Sequence, residues 1–194
     1  MIGMANVVER RWADGKVRCS WANPANPAYI AYHDGEWGVP THDDQELFGM
    51  LVLECFQAGL SWECILNKRP AFRAAFEGFD VDAVCAFDQA KVDELMQNAG
   101  IVRNRRKIEA AITNARVFRS MQSEFGSFAR YIWDWTDGET ICETGLATSP
   151  LSDAVSRDLK ARGMKFVGST VVYAYLQAIG VISAHEEGCF LHRS

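Results

Sequence analysis

No stretch of this 194-residue chain alternates apolar and polar residues with a period of two, and the Val/Ile-rich runs that mark buried strands are nearly absent. Apolar residues recur instead at helical spacing, in segments bounded by capping residues and glycines. Leu47, Phe48, Leu51, Val52, Cys55 and Phe56 form one such face, and Ile108, Ile112, Ala115 and Phe118 form another. The fold class expected is therefore all-α. Thr41 with Asp44 three residues later reads as a capping box for the first of these helices, which should end near Ala58 with Gly59 as its C-terminal glycine. That leaves Leu60 at a turn before Trp62 begins another helix. Prolines and glycines between residues 19 and 40 forbid long elements, although Pro27 suits the first turn of a short helix carrying Tyr29, Tyr32 and His33.

Beyond Pro70 the spacing predicts short helices over 71–76, after Asp80, and over 88–99 before Gly100; a longer one follows over 105–125. Residues 137–148 pattern only as a loop. Ser149 and Pro150 open a helix that closes at Gly163, and Gly168 precedes Ser169, which is expected to cap a further helix ending at Gly180. A hydrophobic content of 48% in this length suits one domain, or two small lobes sharing an interface. The division expected is a loose tail over 1–17 and a single domain over 18–192.

No run is long and apolar enough for a membrane span, and the first residues carry charges where a signal peptide needs its apolar segment, so no membrane association and a cytoplasmic location are expected. Six irregularly spaced cysteines then favour reduced thiols or metal ligation over a disulfide framework. A net charge of −5 argues against a general nucleic-acid binder. Local clusters at Arg103, Arg105, Arg106 and Lys107, and at Lys160, Arg162 and Lys165, are nevertheless enough to dock a duplex on one face, or simply to solvate a helix.

The chemistry concentrates in residues 29–62, where Tyr29, Tyr32, Trp37 and Trp62 surround one acid, Glu54, in an otherwise apolar helix. Aromatic faces stack on flat ligands and attract cations once water is excluded. A buried carboxylate without a partner costs several kcal/mol or takes up a proton, so Glu54 is the first candidate for a functional group. A planar, positively charged ligand fits such a pocket.

The wording Y-I-A-Y-H-D-x-E-W-G, then L-E-x-x-Q-A-G-L-S-W, resembles the signature of the 3-methyladenine DNA glycosylase I family. The resemblance continues through A-G-I-V-R-N-R-x-K-I near residue 100, K-F-V-G-S-T at 165–170 and H-x-x-x-C near the end, covering about residues 19–190. It implies a helix-hairpin-helix glycosylase-like fold with the hairpin over about 150–180. Hairpin amides and the following helix N-terminus would there receive phosphate oxygens of double-stranded DNA containing alkylated adenine. Gly59, Leu60, Lys165, Gly168, Ser169 and Thr170 become the candidate DNA contacts, with Leu60 as a wedge filling the vacated step. Trp21, Trp37 and Trp62 would surround the flipped base, Tyr29 and Tyr32 orient it, and Glu54 accept from its amino group and oppose its charge.

Cys19 and His33 at one end, with His185 and Cys189 at the other, have the Cys₂His₂ composition of a closed structural zinc site. Spacing alone favours a surface histidine near a stray cysteine. The resemblance places the family's zinc ligands on these four positions, with one more residue between Cys19 and His33 than the family pattern has. One structural zinc per chain would join the N- and C-terminal segments of a protein expected to be monomeric. The activity implied is hydrolytic removal of 3-methyladenine, without lyase activity. Helix-hairpin-helix glycosylases often place an aspartate after the clamp, but no acid follows Gly168 until Glu186, so Glu54 is the candidate catalytic acid and the better candidate for recognition. A zinc-stapled helical module that binds damaged DNA without cutting it shares the same features. A zinc hydrolase fits less well, because four protein ligands leave no open position for water.

Overall fold

The computed structural model describes residues 12–193. Nine α-helices carry the fold among them: α1 (Pro27–Gly35), α2 (Asp44–Gln57), α3 (Trp62–Ala75), α4 (Val81–Cys85), α5 (Gln89–Gln97), α6 (Arg105–Phe125), α7 (Phe128–Trp133), α8 (Pro150–Ala161) and α9 (Ser169–Ala178). Every one of them contributes side chains to a single continuous buried cluster. Helix α2 is its axis. Leu47, Phe48, Leu51, Val52, Leu53, Cys55 and Phe56 are all buried, which covers more than one face and places α2 among α3, α6, α7 and α9.

Most helix starts follow the local chemistry read from the sequence. Asp80, Asp88 and Ser149 cap α4, α5 and α8, and Pro150 takes the first turn of α8. Three boundaries differ. The cap of α2 is Asp43, which accepts from the Glu46 amide, and not Thr41. The carboxylate of Asp44 is thereby free to accept from Phe128 and Ala129 amides at 3.0 and 2.7 Å, docking the start of α7 onto α2. Helix α3 runs straight through Pro70. Proline removes one backbone donor, but Ile65, Leu66, Phe72 and Ala75 bury on both sides of it, and that continuous packing outweighs one lost bond.

At α9 the cap is Gly168, and Ser169 is the first helical residue. The Ser169 hydroxyl turns back instead to Ser152 at 2.8 Å and to the Asp153 carboxylate. Residues 137–148 are not wholly loop: β1 (Ile141–Cys142) pairs in parallel with β2 (Ile182–Ser183). Two residues per strand are too few to show a period. Gly180, at φ 81°, packs so tightly on the backbone of Val39 and Pro40 that a Cβ there would collide with it.

Of the tail expected over 1–17, residues 1–11 lie outside the described region, and the remainder is tied down. Lys16 lies 4.5 Å from the Phe190 ring centroid, and the Phe190 amide donates to Val17 at 2.9 Å. Among the described residues no helix is long and apolar enough to cross a membrane.

Candidate functional site

The end of α2 turns a buried acid toward a cavity. Glu54 is 4% exposed, and its Oε2 has no hydrogen-bond partner within the protein. Burial alone pushes its carboxyl up to about 8. Such a group holds a proton at neutral pH and is ready to give it up when a positive charge enters beside it.

The cavity it lines has a volume of about 200 Å³ and is bounded also by Trp21, Tyr29, Tyr32, Trp37 and Trp62, all six of the expected base-pocket residues. An apolar cavity of about 150 Å³ holds benzene, so this one matches a slightly larger flat ring system such as a nucleobase. Tyr32 and Trp62 face one another with ring centroids 5.1 Å apart, from α1 and the first turn of α3. Trp21 meets Tyr29 edge-on at 5.6 Å and Trp37 at 4.8 Å. Three lining residues were not read from the sequence: Gln57, Ala174 and Gln177. Gln177 had the same signal as Glu54, a polar side chain in the apolar run V-V-Y-A-Y-L-Q-A-I, but lies more than a hundred residues from the aromatic cluster.

Beyond Glu54, α2 ends at Ala58, and Gly59 follows at φ 80°, a conformation that glycine adopts without strain. Leu60 then stands 42% exposed in the turn that leads into Trp62. The expected hairpin lies nearby. Asn114 of α6 grips the Lys165 backbone on both sides, accepting from its amide at 2.8 Å and donating to its carbonyl at 2.9 Å, while Cys55, beside Glu54, approaches the same carbonyl at 3.8 Å. The hairpin is thus held chiefly by α6, with Cys55 of α2 beside the same carbonyl.

Helix α9 begins without a side-chain cap, whereas each of the other eight α-helices has one. Its first-turn amides are therefore the set left for an outside acceptor. Gly168 and Ser169 are half-buried there, and Lys165 and Thr170 are exposed. Arg106 from one basic cluster and Lys165 from the other line a common groove beside Phe166. The remaining cluster members are partly engaged elsewhere: Arg105 pairs with Asp93, Arg162 with Glu124 and Asp158, and Lys107 is buried.

The four expected metal ligands converge. Cys19, His33, His185 and Cys189 are all buried, and their donor atoms lie within 4.8 Å of one another. The Cys19 sulfur lies 3.5 Å from His185 Nδ1, and the Cys189 sulfur 3.6 Å from both His33 Nε2 and His185 Nδ1. A tetrahedral ion with thiolate and imidazole bonds of about 2.3 and 2.0–2.1 Å requires sulfur–nitrogen separations of about 3.6 Å, so the cluster fits a metal. The outer partners fit too. His33 Nδ1 lies 2.8 Å from Asp34, which is held by Arg18 at 2.7 and 2.6 Å, leaving Nε2 to face the sulfurs. Burial pushes the Cys19 thiol up to about 12, so a thiolate at this position needs a cation beside it. The site also touches the base pocket: Trp37 packs edge-on against His185 at 4.7 Å and Trp21 lies 5.1 Å from His33.

The family model described as methyladenine glycosylase matches residues 21–192. DNA-3-methyladenine glycosylase 1 of Escherichia coli (strain K12) is 45% identical over 179 residues, spanning 89% of this chain and 95% of that protein. A crystal structure of 3-methyladenine DNA glycosylase I superposes with a TM-score of 0.87 at 44% identity, covering 91% of this chain and all of the other. A further structure, of a variant 3-methyladenine DNA glycosylase I in complex with 3-methyladenine, matches with the same TM-score at 31% identity, over 91% of this chain and 98% of that one.

Proposed function

The chain belongs to the methyladenine glycosylase family, and from that premise we infer that it is a base-excision-repair enzyme that removes 3-methyladenine from alkylated DNA and leaves an abasic site. The observation that carries this reading is Glu54, a buried acid unpaired at Oε2, facing an aromatic cavity sized for one nucleobase. Methylation at a ring nitrogen makes the adenine cationic and weakens its bond to the sugar. The protein then has to extrude, hold and desolvate the base more than it has to push the chemistry.

In this reading Trp21, Trp37 and Trp62 enclose the flipped base, Tyr29 and Tyr32 orient it, and Glu54 gives up its proton to oppose the ring's charge. Leu60 enters the vacated step. Lys165, the Gly168 amide, Ser169 and Thr170 receive the phosphates of the double-stranded substrate, with Gly59 allowing close approach of the turn. Support comes from the uncapped start of α9 and from the groove shared by Arg106 and Lys165. Zinc is the proposed ion for the Cys19, His33, His185 and Cys189 cluster, because two thiolates and two imidazoles in tetrahedral arrangement suit it and leave no position for a reacting water. When bound, it would tie the two chain ends together and take no part in hydrolysis. A monomer in the cytoplasm is the proposed state, in keeping with six cysteines that form no disulfide framework.

Incubating the protein with methylated duplex DNA and analysing the supernatant tests the activity. Free 3-methyladenine should appear in one-to-one ratio with abasic sites. Tight binding of the damaged duplex with no base released would instead establish a damage-recognition module.

A further inference from the structure

The two carbonyls that end α2 converge on a single ammonium. Lys107, from the first turn of α6, donates to Phe56 O at 2.8 Å and to Ala58 O at 2.6 Å. It is only 6% exposed, and no acid pairs with it among the described residues. A buried ammonium without a carboxylate is costly, and burial accordingly draws its pKa below the usual lysine value. The partial negative charge of a helix C-terminus offsets part of that cost, as does the ring of Phe166 in the hairpin, whose centroid lies 5.9 Å away.

An apolar side chain would fill the same slot at lower cost. What a lysine adds is a fixed position for two carbonyls at a helix end, where the chain would otherwise fray. Those carbonyls bracket Gln57, which lines the base cavity, and the Leu60 amide donates back to the Gln57 carbonyl at 2.6 Å. Leu60 itself has almost no other support, since it stands exposed after a glycine with open space around it.

We propose that Lys107 is a positioning residue for base extrusion: by clamping the Phe56 and Ala58 carbonyls it holds the 57–60 turn rigid, so that Leu60 is already aimed when the damaged base leaves the stack. Ordering the turn before DNA arrives removes an entropy cost that a loose turn would meet on insertion. The inference rests on Leu60 being the wedge. Lys107 touches neither base nor phosphate in this role. Its contact with Phe166 also ties the wedge turn to the clamp, so the two DNA-facing elements keep a fixed spacing.

The test uses Lys107→Met, Leu60→Gly and the double variant, each assayed three ways: affinity for free 3-methyladenine, single-turnover excision from a fully paired methylated duplex, and excision from the same strand with the lesion opposite an abasic site. Lys107→Met should bind the free base within about twofold of wild type. It should slow excision from the paired duplex by about tenfold or more, most of which returns when the lesion is already unpaired. Adding Leu60→Gly should cost nothing further, because both changes remove one function. Losses of equal size in all three assays, or fully additive losses in the double variant, overturn the proposal. If Leu60→Gly alone leaves paired-duplex excision intact, the wedge reading fails. If Leu60→Gly slows it and Lys107→Met does not, only the role of Lys107 fails. Should the methionine variant not fold, Lys107→Gln, which keeps an amide donor but removes the charge and shortens the side chain, is judged by the same three assays.

Discussion

At the residue scale the site turns on Glu54, a buried carboxyl with one oxygen unpaired beside the aromatic cavity. An acid in an otherwise apolar helical run was visible without coordinates, because a lone buried carboxylate is costly; Tyr29, Tyr32, Trp37 and Trp62 taken singly read as ordinary core aromatics, and Trp21 came only from the resemblance. Gln177 and Ala174 were not visible, since nothing in a linear chain says which turn of α9 faces α2. The raised carboxyl has a consequence for stability with a definite sign. Between the ordinary carboxylate value of 4.5 and about 8, the folded protein holds a proton on Glu54 that the unfolded chain has lost. Stability contributed by this group therefore falls as pH rises through that interval and is level above it. Glu54→Gln removes the penalty, so the variant should be more stable than wild type by about 1–4 kcal/mol at pH 8 and nearly equal to it at pH 4. Urea unfolding at the two pH values measures this. A variant less stable than wild type at pH 8 would mean that the carboxylate has a partner within the free protein.

Among the elements, helix starts were the most legible feature, because an N-cap is a local event and Asn, Asp and Ser announce it. The stretch through Pro70 and the β1–β2 pair were not. In each case distant packing decides, in α3 through residues on both sides of the proline, and in the strands through the partner segment forty residues away. The hairpin between α8 and α9 was legible as a turn, yet its anchoring to α6 by Asn114 had no signature. In the proposed function, a hairpin fixed at its backbone leaves the exposed Lys165 side chain to meet phosphate. Lys165→Ala should weaken binding to damaged and undamaged duplexes by the same factor, about three- to tenfold at low salt. It should also lower the slope of log affinity against log salt by about 1. A loss confined to one sequence or one lesion would show that the hairpin reads bases.

For the whole molecule, the fold closes through its two ends. Cys19 and His33 lie far from His185 and Cys189 in sequence, and spacing alone favoured stray residues; the 3.5–3.6 Å sulfur–nitrogen separations favour ligands. Around them Ser20 and Glu186 join the same segments, with the Ser20 amide and hydroxyl each donating at 2.6 Å. If one zinc holds this junction, freshly purified protein should contain about one equivalent per chain, and Cys19→Ala should lower the thermal midpoint by several degrees while retaining excision at low temperature. Elemental analysis and a melting curve check both parts. Because Trp21 and Trp37 rest on the ligand histidines, the same variant should also shift tryptophan emission.

In the proposed function this pocket recognises charge, and the cationic base supplies much of its own reactivity. Free-base affinity and single-turnover excision of 3-methyladenine from duplex DNA, measured side by side for wild type and Glu54→Gln, test that most directly. Glutamine keeps an acceptor and removes the ionisable group, so affinity should fall by about 1–3 kcal/mol while excision slows but remains measurable. Excision abolished with free-base affinity unchanged would contradict it, and would make Glu54 a catalyst of bond cleavage instead.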